Sequence, residues 1–434
     1  MLNKLKSKIT NKDASIAIIG LGYVGLPLAV EFAKVGFTVT GFDTDGQKVS
    51  EINKGSSYIL DVPTADVKQL VSAKKLSATL DTKLLNKMDV IIICVPTPLR
   101  KTKEPDISFI LAATEAIAAN LRKGQLIILE STTYPGTTDE VILTKLGADS
   151  LKVGEDFCLA FSPERVDPGN PEYKTKDIPK VVGGVGEKCT EMARLLYSQI
   201  IKNVISVSST RAAEMVKLLE NTFRIVNIGL INEIALLCNK MGVNVWEIIE
   251  AAKTKPFGFM PFYPGPGVGG HCIGIDPHYL SWKARLYGFE TRFIELAEEI
   301  NSSMPHYVVD KIIEALNAKK KALKGSRILV LGITYKKDIT DARESPAITI
   351  INSLLQKEAK VEYHDPLVPV FDIEGMSFSS AKLTKETLNS IDCVVIVTDH
   401  SGVDYKFIVD NSKLIVDTRN ALSSFKGTAN IITL

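Results

Sequence analysis

Short apolar runs alternate with amphipathic stretches through the first half of the chain. The runs are SIAIIG (15–20), TVTGFD (38–43), MDVIIICVPTP (88–98) and QLIILEST (125–132). Continuous apolar runs of this kind are typical of parallel strands that are covered on both faces. Because helical stretches separate these runs, the pattern predicts a doubly wound α/β sheet.

The middle of the chain follows a helical period instead. From residue 210 to 241 apolar side chains recur every three or four positions, and Gly242 follows the run. This spacing predicts one helix of about 30 residues. A second helical stretch, 290–319, contains Pro305, which we expect to end or kink it. Helices this long suit a spine between domains or a dimer interface.

The α/β pattern returns in the last third of the chain. Strand candidates lie at 327–335, 359–366, 392–399 and 413–419. Only Gly332 follows the first of them, so this half lacks a complete glycine fingerprint and binds a different nucleotide or none. The predicted fold is α/β, with two Rossmann-like doubly wound domains joined by a long-helix central domain. We place these domains at residues 1–207, 208–318 and 319–434.

Composition narrows the classes of function. The 434 residues include 52 basic and 50 acidic ones, and this net charge of +2 argues against a nucleic-acid-binding protein with its concentrated basic face. No apolar run approaches the roughly 20 residues of a membrane span, and the polar N-terminus lacks the apolar core of a signal peptide. The six cysteines are scattered without a Cys-x-x-Cys pair. We therefore expect a cytoplasmic protein with reduced thiols and with neither nucleic-acid nor membrane partners.

The motif GLGYVG (20–25) follows the first predicted strand and opens a helix. Gly20 permits a tight turn, Gly22 lets the backbone approach a pyrophosphate, and Gly25 lets the helix pack close to the sheet. Asp43 ends the next strand, where a carboxylate accepts hydrogen bonds from the adenosine ribose. Its charge repels a 2′-phosphate, and Lys48 is the only base nearby. The sequence therefore predicts an NAD site and disfavours NADP.

Polar residues form three further clusters. They are STTYPGTT (131–138), FSPERVDPGN (161–170) and EMVKLLENTFR (214–224). In the last cluster Lys217 and Asn221 stand four apart on one helix face, and Arg224 follows three positions later. Such a pair is more often solvated surface than catalytic machinery, so its meaning depends on whether that face meets a nucleophile.

The glycine-rich stretch GPGVGGHC (265–272) contains the candidate nucleophile. Asp276 is expected as the N-cap residue of a helix and Pro277 as its first residue, so Cys272 is expected about one turn before a helix N-terminus, where the dipole favours thiolate. Asp276 is near enough to handle protons. A metal-binding reading of His271 and Cys272 is weak because adjacent residues rarely ligate one ion. A phosphate loop and a buried cysteine in a tight turn remain alternatives.

Taken together, these motifs resemble the nucleotide-sugar (UDP-glucose/UDP-mannose) 6-dehydrogenase family. The resemblance covers nearly the whole chain and rests on the motifs above together with VPTP (95–98), GPGVGGHCIGIDP (265–277) and YKKDITDARESP (335–346). It implies an N-terminal NAD domain, a central helical dimerisation region and a C-terminal domain that binds the UDP-sugar substrate. A homodimer or higher homo-oligomer is therefore expected.

The resemblance also implies the reaction. The family oxidises a primary alcohol to a carboxylate in a four-electron reaction that consumes two NAD and one water. By this match Cys272 attacks the aldehyde to give a thiohemiacetal, the second oxidation gives a thioester, and water hydrolyses it. Lys217 is implied to stabilise the oxyanion or exchange the proton. Asn221 and Asp276 are implied to orient water and relay protons, and Thr132 and Glu164 to line the same pocket.

Binding positions follow from the same match. The resemblance places at NAD the residues Gly20, Gly22, Tyr23, Val24, Gly25, Asp43, Lys48, Thr97, Thr132 and Arg343. It places at the UDP-sugar the residues Glu164, Arg165, Val166, Lys217, Asn221, Arg224, Gly269, Tyr335 and Lys336. No metal site is expected.

The motifs also narrow the range of sugars that the substrate could carry. Arg165 stands where the glucose enzymes usually have an apolar residue, so the resemblance favours UDP-N-acetylhexosamines. Pro256 and Gly258 stand where the mannosamine enzymes carry basic residues, and Tyr263 where the glucose enzymes carry lysine. The expected substrate is UDP-N-acetylglucosamine, and its product a precursor for polysaccharide biosynthesis. The alternatives are the same reaction on UDP-N-acetylmannosamine, UDP-N-acetylgalactosamine or UDP-glucose, a two-electron hydroxyacid dehydrogenase, and a non-catalytic NAD sensor.

Overall fold

Two largely parallel sheets, formed by the apolar runs of the sequence, organise the computed structural model. The structure describes residues 1–59, 61–100, 102, 104–147, 151–165, 175–270, 273–373, 375–425 and 430–434. They form two compact units. The first unit comprises Met1–Glu220 and His278–Phe289, and the second comprises Asn221–Pro277 and Glu290–Leu434. The bounds of the three domains that we placed from the sequence stay predictions.

Helices and strands alternate through both units. The helices are α1 (Leu2–Thr10), α2 (Gly25–Lys34), α3 (Gly46–Asn53), α4 (Thr64–Ser72), α5 (Ser108–Ala118), α6 (Leu143–Lys145, preceded by a π-helical turn at Thr137–Ile142), α7 (Glu187–Tyr197), α8 (Thr210–Met241), α9 (Val245–Ala252), α10 (Asp276–Arg285), α11 (Arg292–Ala318), α12 (Pro346–Gln356), α13 (Lys385–Ser390) and α14 (Tyr405–Asn411). The strands are β1 (Ser15–Ile19), β2 (Thr38–Phe42), β3 (Leu76–Thr79), β4 (Val90–Ile93), β5 (Leu126–Leu129), β6 (Cys158–Phe161), β7 (Lys180–Gly184), β8 (Val204–Ser206), β9 (Arg327–Leu331), β10 (Lys360–His364), β11 (Val370–Ile373), β12 (Met376–Ser379), β13 (Cys393–Ile396), β14 (Ile415–Asp417) and β15 (Ile431–Thr433). Among the described residues no helix is both long and apolar enough to cross a membrane.

The sheet of the first unit has the order β3-β2-β1-β4-β5-β6-β7-β8. Its strand pairs are parallel except for β6 and β7. The strand order reverses between β1 and β4, and the loops after these strands therefore border the crevice where open α/β sheets bind ligands.

Both faces of this sheet are covered, as the continuous apolar runs predict. Val90 and Ile92 of β4 belong to one hydrophobic cluster, whereas Ile91 and Ile93 belong to another. Successive side chains of a strand point to opposite faces, so the two clusters lie on opposite sides of the sheet. The doubly wound α/β prediction for this half is confirmed.

The second unit contains a smaller parallel sheet with the order β10-β9-β13-β14-β15. Two clusters again share its strands, since Ile328 and Val330 of β9 pack into one and Leu329 and Leu331 into the other. Here the order reverses between β9 and β13. The separate antiparallel pair β11–β12 completes the strands described in this unit.

The two long helices confirm one prediction and exclude one of the two outcomes expected at Pro305, namely that the helix ends there. α8 spans the predicted residues 210–241. α11 does not end at Pro305, because the helix continues to Ala318. A proline removes one backbone hydrogen bond, but Pro305 is buried here together with Met304 and Val308. Packing of this apolar face keeps the helix intact.

Candidate active site

The glycine loop after β1 has the backbone that a dinucleotide site requires. Gly20 has φ +93°, and a Cβ added there would lie 2.5 Å from the carbonyl oxygen of Cys94. A Cβ on Gly25 would lie 1.8 Å from the carbonyl oxygen of Gly20, whereas one on Gly22 meets no neighbouring atom within 4 Å. Gly20 and Gly25 therefore permit the close packing of the loop, and Gly22 leaves open space where a pyrophosphate can approach the backbone.

Asp43, which follows β2, is aimed at this loop. Its Oδ2 accepts a 2.8 Å hydrogen bond from the backbone N–H of Leu21, and its Oδ1 accepts one of 3.0 Å from Asp45. The amine of Lys48 lies 3.8 Å from Oδ2. Carboxylate oxygens have lone pairs to spare for ribose hydroxyls, and the negative charge disfavours a 2′-phosphate. The loop and Asp43 therefore fit NAD.

The loop after β4 borders the other side of this crevice. The carbonyl oxygen of Thr97 accepts a 2.8 Å hydrogen bond from Oη of Tyr279 on α10. Tyr23 in the glycine loop is 52% exposed, and Val24 stands directly before α2. The predicted NAD contacts of these two loops thus follow adjacent strands at the point where the strand order reverses.

α8 brings an amine to the loop that follows β5. Nζ of the half-buried Lys217 donates a 2.6 Å hydrogen bond to Oγ1 of Thr132. Thr132 lies at the C-terminal edge of the sheet that also carries the glycine loop. An amine held by a hydroxyl at this edge can stabilise an oxyanion or exchange a proton.

A buried carboxylate that the sequence reasoning missed holds the same loop. Oε2 of Glu214 accepts a 2.6 Å hydrogen bond from the N–H of Gly136, and Oε1 accepts bonds from the N–H and hydroxyl of Thr138 at 2.9 and 2.7 Å. Burial raises the pKa of Glu214, against the effect of these hydrogen bonds. The three-residue spacing from Lys217 on α8 was the signal available in the sequence.

Glu164 and Arg165 form hydrogen bonds and an ion pair within the first unit. Oε2 of Glu164 accepts a 2.9 Å hydrogen bond from Lys180, and Oε1 accepts one of 2.8 Å from the N–H of Arg165. The guanidinium of Arg165 pairs with Glu220 at 2.5 Å and donates to the carbonyl oxygen of Pro179 at 2.7 Å. The candidate Val166 lies outside the described residues.

Behind Glu164 lies a buried ionic cluster that was also missed. Lys180 contacts Glu130 as well as Glu164, and Oη of Tyr197 donates a 2.5 Å hydrogen bond to Glu130. Burial raises the pKa of Glu130 to about 7, although Lys180 opposes this shift. A glutamate at the end of the apolar run LIILE was the only sequence signal for this cluster.

In the second unit the structure joins two candidates. Nδ2 of Asn221 on α8 donates a 2.5 Å hydrogen bond to Oδ2 of Asp276, and both side chains are buried. Asp276 is the first residue of α10 and not the residue before it. The predicted nucleophile Cys272 and its neighbour His271 lie outside the described residues, so the role of Cys272 stays a prediction.

The glycines before Cys272 pack closely against other residues of the second unit. A Cβ on Gly269 would lie 2.7 Å from Cβ of Tyr335, and one on Gly270 would lie 2.8–3.0 Å from the Tyr335 ring. The N–H of Gly270 donates to the carbonyl oxygen of Arg343. Arg419, which the sequence reasoning missed, places its guanidinium against Gly265 in the same way. Substrate-binding candidates of this unit therefore meet at the glycine stretch.

The other candidates lie at separate places in the second unit. The guanidinium of Arg343 forms an ion pair of 2.6 Å with Asp341. Arg224 is exposed on α8, and Lys336 is half-buried in the loop after β9. Because Arg343 and the glycine loop belong to different units, the predicted contact of Arg343 with NAD stays a prediction.

Family models match three consecutive parts of the chain. Residues 14–201 match the NAD binding domain of the UDP-glucose/GDP-mannose dehydrogenase family, residues 211–303 match its central domain, and residues 329–424 match its UDP binding domain. The matches follow the order of domains that the resemblance implied.

Individual proteins are similar over most of their length. A UDP-N-acetyl-D-glucosamine 6-dehydrogenase from Pseudomonas aeruginosa is 40% identical over 83% of this chain and 85% of its own. A UDP-N-acetyl-D-mannosamine dehydrogenase from Methanococcus maripaludis is 35% identical over 94% of this chain and 93% of its own. The solved structure of a UDP-D-ManNAc dehydrogenase from Pyrococcus horikoshii aligns with a TM-score of 0.85 at 35% identity, over 96% of this chain and 98% of that one.

Proposed function

The chain belongs to the UDP-glucose/GDP-mannose dehydrogenase family, and from this premise we propose that it oxidises C6 of UDP-N-acetylglucosamine to the carboxylate. It is an NAD-dependent UDP-sugar dehydrogenase. The proposal adds the sugar, the four-electron course of the reaction and the residues that carry it. One alcohol, one water and two NAD would give one carboxylate, two NADH and three protons.

The observation that carries the proposal is the hydrogen bond from Lys217 to Thr132. It lies on the sheet edge that also holds the glycine loop and Asp43, the residues that would bind NAD. When bound, NAD accepts the hydrides that leave C6. Lys217 would bind the oxygen that becomes negative as the C6 hydroxyl loses its proton, and Thr132 would keep the amine in place.

The second oxidation would depend on Cys272. Its thiolate would add to the aldehyde carbon, so that loss of the second hydride leaves a thioester on the protein. Hydrolysis then needs an oriented water and a proton acceptor. The buried pair of Asn221 and Asp276 supports this step, because the amide of Asn221 holds the Asp276 carboxylate in place and an ionised carboxylate is a proton acceptor.

The choice of sugar rests on two observations. The Pseudomonas aeruginosa relative is named for UDP-N-acetyl-D-glucosamine. Tyr263 stands where the resemblance implies a lysine in the glucose enzymes, which argues against UDP-glucose. Its hydroxyl donates a 3.0 Å hydrogen bond to Glu250, and its ring stacks on Trp246. UDP-N-acetylmannosamine, for which the Methanococcus maripaludis relative is named, is the second candidate substrate.

A panel of UDP-sugars with NAD tests the proposal. We expect the fastest turnover with UDP-N-acetylglucosamine, two NADH per sugar, and a product mass that corresponds to two hydrogens replaced by one oxygen. One NADH per sugar would contradict the four-electron course and favour a two-electron dehydrogenase. Faster turnover of the mannosamine, galactosamine or glucose substrate would change the sugar in the proposal and leave the four-electron course unaffected.

We also propose that a second copy of the chain covers one face of α8. In the second unit this helix exposes Phe223, Leu230, Leu237 and Met241, each of which is 46% to 65% exposed. Their spacings of seven, seven and four residues form one apolar stripe. An exposed apolar patch of this kind marks a protein interface. Light scattering should show a dimer or larger oligomer, and Leu230→Glu with Leu237→Glu should yield monomer; a monomeric wild type would contradict the proposal.

A further inference from the structure

His400 is a buried histidine that none of the proposed chemical steps uses. It stands four residues after the end of β13 and is 1% exposed. Its ring lies against residues 333–338, the loop that follows β9. This loop carries Tyr335 and Lys336, the substrate-binding candidates of the second unit.

The hydrogen bonds of His400 define its protonation. Nδ1 accepts a 3.0 Å hydrogen bond from the backbone N–H of Asp338, so this nitrogen carries no proton. Nε2 therefore bears the hydrogen and donates it to Oδ2 of Asp365 at 3.0 Å, with Oγ1 of Thr334 at 3.2 Å beside it. The 3.8 Å approach of Nδ1 to the Asp338 carboxylate would be an ion pair only if the ring were charged. The ring is thus a neutral link between a carboxylate and a loop backbone.

Neighbouring residues hold the same loop at its start. Asp365, at the end of β10, accepts a 2.8 Å hydrogen bond from the N–H of Ile333. Burial opposes the charge of Asp365, but the hydrogen bonds from His400 and the backbone lower its pKa. The hydroxyl of Thr398 donates to the carbonyl oxygen of Thr334 at 2.6 Å. Residues that follow the C-terminal ends of β10 and β13, the two strands that flank β9, therefore hold the start of the loop after β9.

The far end of the loop depends on His400 and its neighbour Ser401. Asp338 has φ +62°, a conformation that costs free energy for a residue other than glycine. Its carboxylate accepts hydrogen bonds of 2.8 and 2.6 Å from the N–H and hydroxyl of Ser401. The N–H of Asp338 donates to the His400 ring. Without the His400 ring as acceptor, the strained backbone of Asp338 would be held only through the hydrogen bonds between its side chain and Ser401.

The position of the loop in the sheet gives this anchoring a functional meaning. The strand order of the second unit reverses between β9 and β13, and ligands bind at such a point in open α/β sheets. Residues 329–424 match the family's UDP binding domain. Tyr335 also packs on Gly269 and Gly270, so the loop conformation reaches the glycine stretch.

We propose that His400 is a positioning residue that holds residues 333–338 in the conformation that binds the UDP part of the substrate. The acceptor atom Nδ1 fixes the N–H of Asp338, and the donor Nε2 fixes the ring to Asp365. The inference rests on the proposed function only in taking Tyr335 and Lys336 as contacts of the UDP-sugar. It requires no step of the oxidation.

Calorimetric titration of the full-length protein with UDP tests this inference without turnover. His400→Ala should weaken UDP binding roughly ten- to hundredfold, because the N–H of Asp338 loses its partner. His400→Asn should recover most of the affinity, since its amide oxygen stands near the position of Nδ1. His400→Gln should not, because its amide lies near Nε2 and offers the loop no acceptor.

Two controls separate positioning from general damage. NAD affinity of each variant should stay close to wild type, even where loss of the buried hydrogen bond between His400 and Asp365 lowers the melting temperature, and in turnover KM for the UDP-sugar should rise while kcat changes little. His364→Ala is the matched histidine control, because the His364 ring bonds to Ala381 and not to this loop. Its UDP affinity should equal that of wild type.

Distinct outcomes would overturn the inference. UDP affinity of a folded His400→Ala within twofold of wild type would do so, as would recovery by Gln and not by Asn. Parallel losses of UDP affinity, NAD affinity and melting temperature would show that His400 only supports the fold. UDP binding by a wild-type protein that oxidises none of the UDP-sugars would remove the proposed function and leave the inference standing.

Discussion

Nζ of Lys180 donates a 2.9 Å hydrogen bond to Oε2 of Glu164 and at the same time contacts Glu130. One buried cation thus faces two buried carboxylates. Oη of Tyr197 supplies Glu130 with a further donor at 2.5 Å. Because a single lysine offsets only one negative charge, the cluster is most stable when one carboxyl group is protonated, and burial raises the pKa of Glu130 to about 7.

This arrangement makes stability depend on pH in a defined direction. Burial raises the pKa of Glu130 above its usual value of 4.5, so the stability that the protonated carboxyl group contributes is fully present below pH 4.5 and is lost as pH rises through about 7. The difference in unfolding free energy between wild type and Glu130→Gln should therefore change by on the order of 3 kcal/mol between about pH 4 and pH 8. Wild type loses stability relative to the variant at the higher pH. Urea unfolding of both proteins across this range measures the change.

A surface glutamate provides the control for this titration. Glu191 is exposed and pairs with Lys6, so the difference between wild type and Glu191→Gln should not fall as pH rises towards 8. A pH-independent difference between wild type and Glu130→Gln would show that Glu130 does not titrate in this range.

Two glycines of one loop should respond differently to alanine. Gly22→Ala should leave the melting temperature unchanged, because a Cβ there meets open space, but should weaken NAD binding by roughly tenfold or more where the pyrophosphate approaches. Gly25→Ala should cost about 1–3 kcal/mol of stability, because its Cβ would collide with the carbonyl of Gly20. Thermal unfolding and NAD titration of both variants measure these effects. Unchanged NAD affinity in Gly22→Ala would place the pyrophosphate elsewhere.

Removal of the Lys217 amine should slow the reaction without unfolding the protein. Lys217→Met keeps the aliphatic stem but leaves the oxyanion without its cation, so kcat should fall roughly 10²- to 10³-fold. Lys240, exposed near the end of the same helix, is the matched control, and Lys240→Met should retain full activity. Steady-state kinetics with UDP-N-acetylglucosamine distinguish the two. Equal rates for both variants would exclude Lys217 from the chemistry.

Much of this molecule could be predicted from local sequence pattern. The span of α8, four strands of each sheet and the glycine loop follow from apolar periodicity and from glycine chemistry, which act over short stretches. Pro305 shows the limit of local rules, since burial of its neighbours keeps α11 continuous.

The missed residues have in common that their partners are distant in the chain. Glu130 meets Lys180 across 50 positions, and His400 meets Asp338 across 62. A lone glutamate after a strand or a lone histidine before a helix is ordinary in sequence. Only the packing of neighbouring strands makes each of them part of a network.

The bond between Asn221 and Asp276 should appear as energetic coupling in catalysis. When two residues act as a unit, the first substitution already removes the function of both. The double variant Asn221→Ala/Asp276→Asn should therefore be about as slow as the slower single variant. We expect a coupling of about 1–3 kcal/mol in the activation free energy. The measurement is kcat for wild type, both single variants and the double variant. Asn227→Ala is the control, because Asn227 is half-buried on the same helix and its amide donates a hydrogen bond to the carbonyl oxygen of Phe223, four residues earlier. Additive losses from Asn221 and Asp276 would show that they contribute separately, and full activity of Asp276→Asn would remove the carboxylate from thioester hydrolysis.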